Sequence, residues 1–407
     1  MRRAFITGVG MISPLGEGRE AFFNNLIEGR SAVREIEGFD TSSFNSHLGG
    51  EVRGFKPEIY MGRKMRGLNR TTRFLTAAMK LAVEDAGLSP EETSDSGVIV
   101  GTAFGNSAHA ITYAQKLLKE GPDEMFPLDA MDMPSNSSVN FVSVFFAIKN
   151  FARTISAGFT STHDALGNAL QLIRTGRAKR IIVAGMEQLS PELFTIFNQR
   201  GLLARATEEA AEGARPFNKT RNGFVLSEGG YALTIEEDQL AGARGVKPLA
   251  EITGFANGFV GGSKLSSNQR LERLSSIINA SLANAAARSS EIDLIYTSAN
   301  GLRDPDLLEC LGLQAVFQPE MPSICAIKSQ MGEAYGASGA MQASVAALSL
   351  SIGKKPLLNP PASEDVDPAC HSVLKTKNPL VESPQKVIIN GLDLAGNFSC
   401  LILEKYK

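Results

Sequence analysis

The sequence predicts an α/β protein in which strands and helices alternate in layers around a mostly parallel sheet. Short apolar runs typical of buried strands, such as residues 181–185, alternate with segments whose apolar residues recur every three or four positions, as on one face of a helix. The chain has 39 glycines in 407 residues, and many follow the apolar runs, as expected for tight strand–helix connections. Both observations favour a compact α/β architecture.

The same order of elements occurs twice along the chain. Residues 1–250 and 251–407 each show strand, loop, helix and strand, with a helix of small residues at the centre. In the second half this helix is predicted over residues 336–352, which are dense in alanine, serine and glycine. We therefore expect two pseudo-duplicated halves that meet near residue 250.

Composition excludes several classes of function. The net charge of -2 favours neither nucleic acid nor an acidic membrane surface. The chain contains no run approaching the ~18 apolar residues of a membrane span, and the first apolar run is predicted to be a strand rather than a signal peptide. We therefore expect no membrane span and no nucleic-acid partner.

The sequence also predicts that the protein has neither a metal site nor a bound cofactor. The glycine-rich loop at residues 8–16 lacks the GxGxxG spacing of a dinucleotide site. The cysteines are scattered without CxxC or Cys/His metal-binding spacing, at Cys310, Cys325, Cys370 and Cys400. We therefore expect a cytoplasmic protein whose cysteines are reduced and mostly buried.

A strand–turn–helix unit over residues 153–185 is the centre of the predicted site. A short strand at 154–157 leads through a turn at 158–161 into a helix whose apolar face carries four residues, Leu166, Ala169, Leu170 and Ile173. Many enzymes place a nucleophile at such a turn, because it exposes one side chain beside free backbone N–H groups. Here the exposed position is predicted to be Phe159, which has no nucleophilic atom.

A substitute nucleophile near this turn is not favoured. Ser161 and His163 could act as nucleophile and base, but residues two apart in the first turn of a helix do not face each other. A serine at this point is more often an N-cap, so we expect Ser161 to cap the helix.

Several motifs, in order along the chain, resemble the β-ketoacyl synthase family of the thiolase superfold. They are the opening strand and loop RRAFITGVGMISPLG, the signature-like RPFNKTRNGFVLSEGG, the segment KSQMGEAYGASGA and the loop NGLDLAGN. The resemblance covers essentially the whole chain. It implies a thiolase-like fold with layers in the order αβαβα.

The resemblance also implies that the catalytic residues of the family have been replaced. The nucleophilic cysteine corresponds to Phe159, and the two histidines correspond to Asn300 and Glu333. In active members the cysteine takes an acyl group and the histidines assist decarboxylation of malonyl thioesters. Leu394 occupies a position in the loop that gates the site and forms the oxyanion hole. No triad position keeps its chemistry.

Two supporting positions of the family are retained, at Lys328 and Glu309. In active members this pair helps to orient the active-site network. With the triad gone, a buried ion pair that holds two loops together is the favoured interpretation. Glu333 could equally pair with Lys328, which lies five residues earlier, or act as a general base if buried.

The resemblance implies a chain length factor, a non-catalytic ketosynthase-like subunit of a type II polyketide or fatty-acid-like pathway. Such a subunit pairs with an active β-ketoacyl synthase, shapes the acyl tunnel, and works with an acyl carrier protein bearing acyl and malonyl thioesters. The strand at 153–157 is expected to pair across the twofold axis. The tunnel or interface candidates lie on a neighbouring apolar helix, at Phe141, Phe145 and Phe146, where ordinary core packing is also possible.

Two further functions remain open. One is a stand-alone acyl-thioester enzyme, an acyltransferase or decarboxylase that uses Asn300 and Glu333. The other is a homodimeric protein that binds an acyl chain or a carrier protein.

Overall fold

The computed structural model describes residues 1–62, 68–262, 264–356, 365–374 and 383–407. The strands in these ranges are β1 (Ala4–Ser13), β2 (Gly16–Glu17), β3 (Val33–Glu35), β4 (Leu48–Gly50), β5 (Gly97–Gly101), β6 (Ala152–Ile155), β7 (Arg180–Glu187), β8 (Leu226–Ser227), β9 (Gly229–Glu237), β10 (Ala250–Phe259), β11 (Leu294–Tyr296), β12 (Ser323–Cys325), β13 (Lys386–Leu392) and β14 (Asn397–Glu404).

The helices in the same ranges are α1 (Arg19–Ile27), α2 (Glu58–Met61), α3 (Arg70–Asp85), α4 (Pro90–Ser94), α5 (Ser107–Glu120), α6 (Pro127–Met131), α7 (Ser137–Phe145), α8 (Ser161–Arg174), α9 (Pro191–Gln199), α10 (Asp238–Ala243), α11 (Ser267–Asn284), α12 (Arg303–Phe317), α13 (Lys328–Met331), α14 (Ser338–Ile352) and α15 (His371–Leu374).

The main sheet is mixed, so the prediction of a mostly parallel sheet is wrong. Its order is β12-β11-β13-β14-β10-β1-β9-β7-β5-β6, with β2 paired to β1, and a separate small sheet has the order β3-β4-β8. Strands β9 and β14 run antiparallel to both of their neighbours. The physical reason is visible between β13 and β14, because a connection as short as residues 393–396 can only join antiparallel strands.

The pairing pattern is repeated in the two halves of the sheet. In the order β1-β9-β7-β5-β6, two antiparallel pairings are followed by two parallel ones. The order β10-β14-β13-β11-β12 has the same succession. The two sets meet where β1 pairs with β10, antiparallel, at Ala4 and Ile252. This repetition is what a duplicated chain would show. The boundary near residue 250 remains a proposal.

The helices form layers on both sides of the strands, which confirms the layered arrangement. Helix α3 packs on β1, β7 and β9, and α11 packs on β10 and β14. Between the two halves, α8 and α14 contact each other and strands of both sets. Close approach in this central layer requires small residues: a Cβ added to Gly339 would lie 2.6 Å from the backbone N of His163.

Two composition-based expectations agree with the structure. The cysteines are free and buried. Within the described residues, no helix is both long enough and apolar enough to cross a membrane.

Candidate functional site

The predicted turn lies between β6 and α8, as the sequence indicates. Gly158 adopts a φ of 62°, which is open to glycine at little cost, and brings the chain from the strand into the helix. A Cβ at Gly158 would lie 2.2 Å from an oxygen of Asp393, so the turn packs directly against the loop after β13. At the far end, α8 ends beside Gly176, which has a φ of 71°.

Ser161 is not the N-cap of α8, so this prediction is wrong. Thr160 occupies the N-cap position and makes no side-chain cap hydrogen bond. The Ser161 hydroxyl accepts a hydrogen bond from the backbone N–H of Ala157 at 2.9 Å and donates within the turn, where the carbonyl of Gly158 lies 2.6 Å away. The Ser161 hydroxyl therefore binds the segment between β6 and α8 rather than a free N–H of the helix.

As predicted, His163 does not pair with Ser161. Its Nε2 lies 3.1 Å from Oε1 of Gln342 on α14, and the whole side chain is buried. Burial, and to a smaller extent the positive charge of Lys328, lowers the pKa of His163 to about 3, so the ring is neutral. A serine–histidine nucleophile is absent from this turn.

Phe159 is buried in a group of rings that we call the aromatic cluster, formed by Phe104, Phe159, Phe197, Phe224 and Tyr335. The ring of Phe159 meets Phe224 and Tyr335 edge to face, with centroids 6.2 Å and 5.5 Å away. Phe197 stacks on Tyr335 at 5.6 Å and contacts Phe224 at 5.4 Å. These rings fill the space beside the turn that an acyl group attached there would need.

The structure brings Asn300 and Glu333 together. Glu333 is fully buried, and its Oε2 accepts hydrogen bonds from Nδ2 of Asn300 and Nζ of Lys328, each at 2.8 Å. Its Oε1 accepts from the hydroxyl of Ser338 at 2.6 Å. We call these four side chains the polar network. With three donors bound to it, the Glu333 carboxylate is poorly placed to take a proton from a substrate.

The favoured ion pair between Lys328 and Glu309 is wrong, and the alternative pair between Lys328 and Glu333 is confirmed. Glu309 accepts hydrogen bonds from the backbone N–H of Ser298 at 2.9 Å and from Nδ2 of Asn390 at 3.0 Å. Burial raises its pKa to about 7. Lys328 begins the short helix α13 and Glu333 follows two residues after its end.

Sequence reasoning missed Glu187 at the end of β7. Its buried Oε1 accepts a hydrogen bond from the hydroxyl of Thr102 at 2.9 Å and another from the backbone N–H of Ala103. Burial raises its pKa to about 8. An acidic residue two positions after the buried run at 181–185 was the available signal.

Leu394 lies on the loop between β13 and β14 and is 44% exposed. It lines an open cleft of about 830 Å³ together with Leu302, Gly261 and three arginines, Arg205, Arg270 and Arg303. A much smaller cavity of about 10 Å³ lies between Leu394, Asn300 and Glu309. In the part of the chain that the structure describes, neither Phe159 nor Glu333 lines these cavities.

The three candidate interface residues are half-buried against their own chain: Phe141 and Phe145 lie in α7, and Phe146 directly follows it. The rings of Phe145 and Phe146 meet at 4.9 Å, and Phe145 also packs near Phe74 of α3. Ordinary packing therefore accounts for most of their apolar surface. The neighbouring Val144 is 82% exposed.

Similarity to known proteins covers the whole chain. A family model described as β-ketoacyl synthase, N-terminal domain, matches residues 1–241, and one described as the C-terminal domain matches residues 249–358. The 3-oxoacyl-(acyl-carrier-protein) synthase 2 of Vibrio cholerae is 28% identical over 417 residues, which cover 99% of each chain.

A second relative is the oxytetracycline polyketide putative β-ketoacyl synthase 1 of Streptomyces rimosus. It is 31% identical over 384 residues, covering 91% of this chain and 89% of its own. Among solved structures, the ishigamide ketosynthase/chain length factor superposes with a TM-score of 0.90 at 27% identity and covers 100% of both chains. The predicted thiolase-like fold is thereby confirmed, and the chain belongs to the β-ketoacyl synthase family.

Proposed function

We propose that this chain is a non-catalytic ketosynthase-like subunit, a chain length factor that pairs with an active β-ketoacyl synthase and shapes its acyl tunnel. The observation that carries the proposal is Phe159. It occupies the turn between β6 and α8 and is enclosed by the aromatic cluster. A phenyl ring can neither attack an acyl thioester nor hold the acyl group, so the chain lacks the first step of condensation.

The polar network supports the same proposal and disfavours a stand-alone acyltransferase or decarboxylase. Such an enzyme would need Asn300 and Glu333 free to face a substrate. Instead, Asn300 Nδ2 and Lys328 Nζ both bind one oxygen of Glu333. A negative carboxylate at this position would also oppose the charge of a developing enolate in a site of low dielectric.

The proposed partners are an active β-ketoacyl synthase and an acyl carrier protein, in the cytoplasm. One solved structure similar to this chain is named as a ketosynthase/chain length factor, which supports the first partner by analogy. β6 supports it physically, because it is the last strand of the sheet and Ala152 and Arg153 are exposed. An open strand edge of this kind is a pairing surface.

Incubation with acyl- and malonyl-loaded carrier protein, followed by intact-mass analysis, tests the absence of catalysis. We expect neither an acyl adduct nor a condensed product. The variant Phe159→Cys should also give no condensed product, because Asn300 and Glu333 supply no imidazole for decarboxylation. Phe197→Cys, in the same aromatic cluster but away from the turn, is the matched control.

A stable acyl adduct on the wild-type chain, or turnover by Phe159→Cys, would overturn the proposal. Co-expression with a ketosynthase encoded beside this chain tests pairing, and co-purification of the two chains is expected. A homodimer that ignores such a ketosynthase would instead support a homodimeric acyl- or carrier-binding protein.

A further inference from the structure

The open edge of β6 exposes a defined set of backbone groups. The carbonyl oxygen of Phe151 accepts a hydrogen bond from the N–H of Val98 in β5 at 2.8 Å. The carbonyl oxygen of Ile155 accepts one from the N–H of Thr102, directly after β5, at 3.1 Å. Because successive peptide groups of a strand point to opposite sides, those of Ala152 and Thr154 point to the open edge. A further antiparallel strand can therefore bind here.

Pairing of this edge with a second copy of the same chain would bring the two Arg153 side chains together. A symmetric antiparallel pair is centred on one residue, and a four-residue strand allows the centre at position 153 or 154. With the centre at 153, Arg153 lies opposite its own copy. With the centre at 154, the two arginines are diagonal neighbours, and both cases place their Cα atoms within roughly 4.5–8 Å of each other.

The charge at this edge has one sign. Arg153 is exposed, and its guanidinium carbon lies 4.9 Å from the centre of the Phe151 ring. Its Nη1 donates to the amide oxygen of Asn168 at 3.3 Å, so its contacts are with neutral groups. Residues 149–156, KNFARTIS, contain Lys149 and Arg153 and no acidic residue. Self-pairing would therefore set like charges against each other, which destabilises a cross-strand pair.

We infer that Arg153 selects the partner at this edge: it disfavours a second copy of this chain and favours a chain of the same fold whose facing strand carries an aspartate or glutamate beside Arg153. This inference rests on the proposed function, since it assumes a partner strand on β6. It adds that the charge facing Arg153 distinguishes this partner from a second copy of the chain. Opposite charges across the strands stabilise the mixed pair, and repulsion between identical edges disfavours the self-pair.

A copy of this chain carrying Arg153→Glu supplies the required carboxylate and serves as the probe. The dissociation constants of four samples are measured by analytical ultracentrifugation at low salt: wild type, Arg153→Glu, Arg153→Ala, and an equal mixture of wild type with Arg153→Glu. The mixture and Arg153→Ala should each associate roughly two- to fivefold more tightly than wild type alone, because neither opposes like charges. Arg34→Glu, an exposed arginine in the small sheet, controls for the change in net charge.

The salt dependence is a second readout. Added salt should tighten wild-type self-association and weaken the mixed pair, because screening reduces both repulsion and attraction. A mixture that stays monomeric, or that associates no more tightly than wild type with itself, overturns the inference, as does an equal gain with Arg34→Glu. Such a failure would leave the proposed function standing, because acylation and co-purification with a ketosynthase test that function separately.

Discussion

At the scale of single residues, Phe159 places a phenyl ring, which has no nucleophilic atom, in the turn between β6 and α8 and fills the space beside that turn. The ring is 5% exposed and makes edge-to-face contacts with Phe224 and Tyr335. Aromatic pairs of this geometry stabilise a fold beyond the area that they bury. Restoring a small side chain here would therefore cost stability as well as leave the chemistry incomplete.

The variant Phe159→Ala should lower the free energy of unfolding by about 3–5 kcal/mol, because it opens a cavity in the aromatic cluster. The comparison is Phe259→Ala, whose ring is 48% exposed and should cost much less. Urea unfolding followed by circular dichroism measures both. An equal, small loss for the two variants would show that the ring of Phe159 does not support the cluster.

Glu187 predicts how stability depends on pH. Burial raises its pKa from 4.5 to about 8, so the folded chain holds a proton that the unfolded chain has released. The associated stability is fully present below about pH 4.5 and is lost as the pH rises through about 8, with a slope of at most roughly 1.4 kcal/mol per pH unit for one proton. The pKa of Glu309, raised to about 7, acts in the same direction.

Urea unfolding at several values between pH 5 and pH 8 should therefore show a falling free energy of unfolding for the wild type. Glu187→Gln cannot titrate and should show a flatter curve, with the remaining slope due in part to Glu309. A stability that rises over this range, or an unchanged slope in the variant, would contradict the prediction.

At the scale of elements, the alternation of apolar runs and the placement of glycines predict helices and turns. They do not predict which strands or side chains pair. The turn before α8, its end beside Gly176 and the small-residue packing of α14 follow from local rules that act within a few residues. The antiparallel course of β9 does not, because local sequence does not specify which strand lies beside it. The sequence named both Glu309 and Glu333 as partners for Lys328 but could not decide between them, and the structure pairs Lys328 with Glu333.

The assignment of Phe159 to a catalytic position of the family rests on motifs alone, and the burial of Phe159 among other rings could not be predicted from the sequence. Nothing near Phe159 in the sequence indicates that Phe224 and Tyr335 will lie against it, since they are contributed by separate segments. Ser161 shows the opposite error. Its hydroxyl, predicted to cap the helix, accepts a hydrogen bond instead from the N–H of Ala157, two residues after the end of β6.

Gly158→Ala should destabilise the turn by more than the cost of its backbone angle alone. At a φ of 62°, an alanine costs about 1–2 kcal/mol, and its Cβ would also lie 2.2 Å from an oxygen of Asp393. Gly201→Ala is the matched control, because Gly201 has a φ of 64° and open space around the added carbon.

The expected result is a larger loss of stability for Gly158→Ala, with faster hydrogen exchange over residues 393–397. Asp393 holds that loop by accepting from the backbone N–H groups of Gly396 and Asn397, each at 2.7 Å. Equal losses for the two glycine variants would show that the contact between the turn and the loop is not tight.

At the scale of the whole molecule, two surfaces are left uncovered by the residues that the structure describes. One is the open edge of β6. The other is the apolar surface of residues 107–146, where none of the residues of α5 is buried, Leu118 is 88% exposed and Met131 is 68% exposed. Large exposed apolar surfaces beside an open strand edge are typical of an interface between chains. A partner of the same fold would cover both surfaces at once.

Val144→Asp tests whether this surface binds the proposed ketosynthase partner. Because Val144 is 82% exposed, the charge can remain in water in the isolated chain, and circular dichroism should show an unchanged fold. In the assembly the same carboxylate would be buried without a partner, at a cost of several kcal/mol in association. Co-purification with a co-expressed ketosynthase should therefore fall sharply.

Phe145→Asp provides the contrast, since Phe145 packs against its own chain and its loss should damage the fold itself. Undiminished co-purification of a folded Val144→Asp variant would place the partner on another surface.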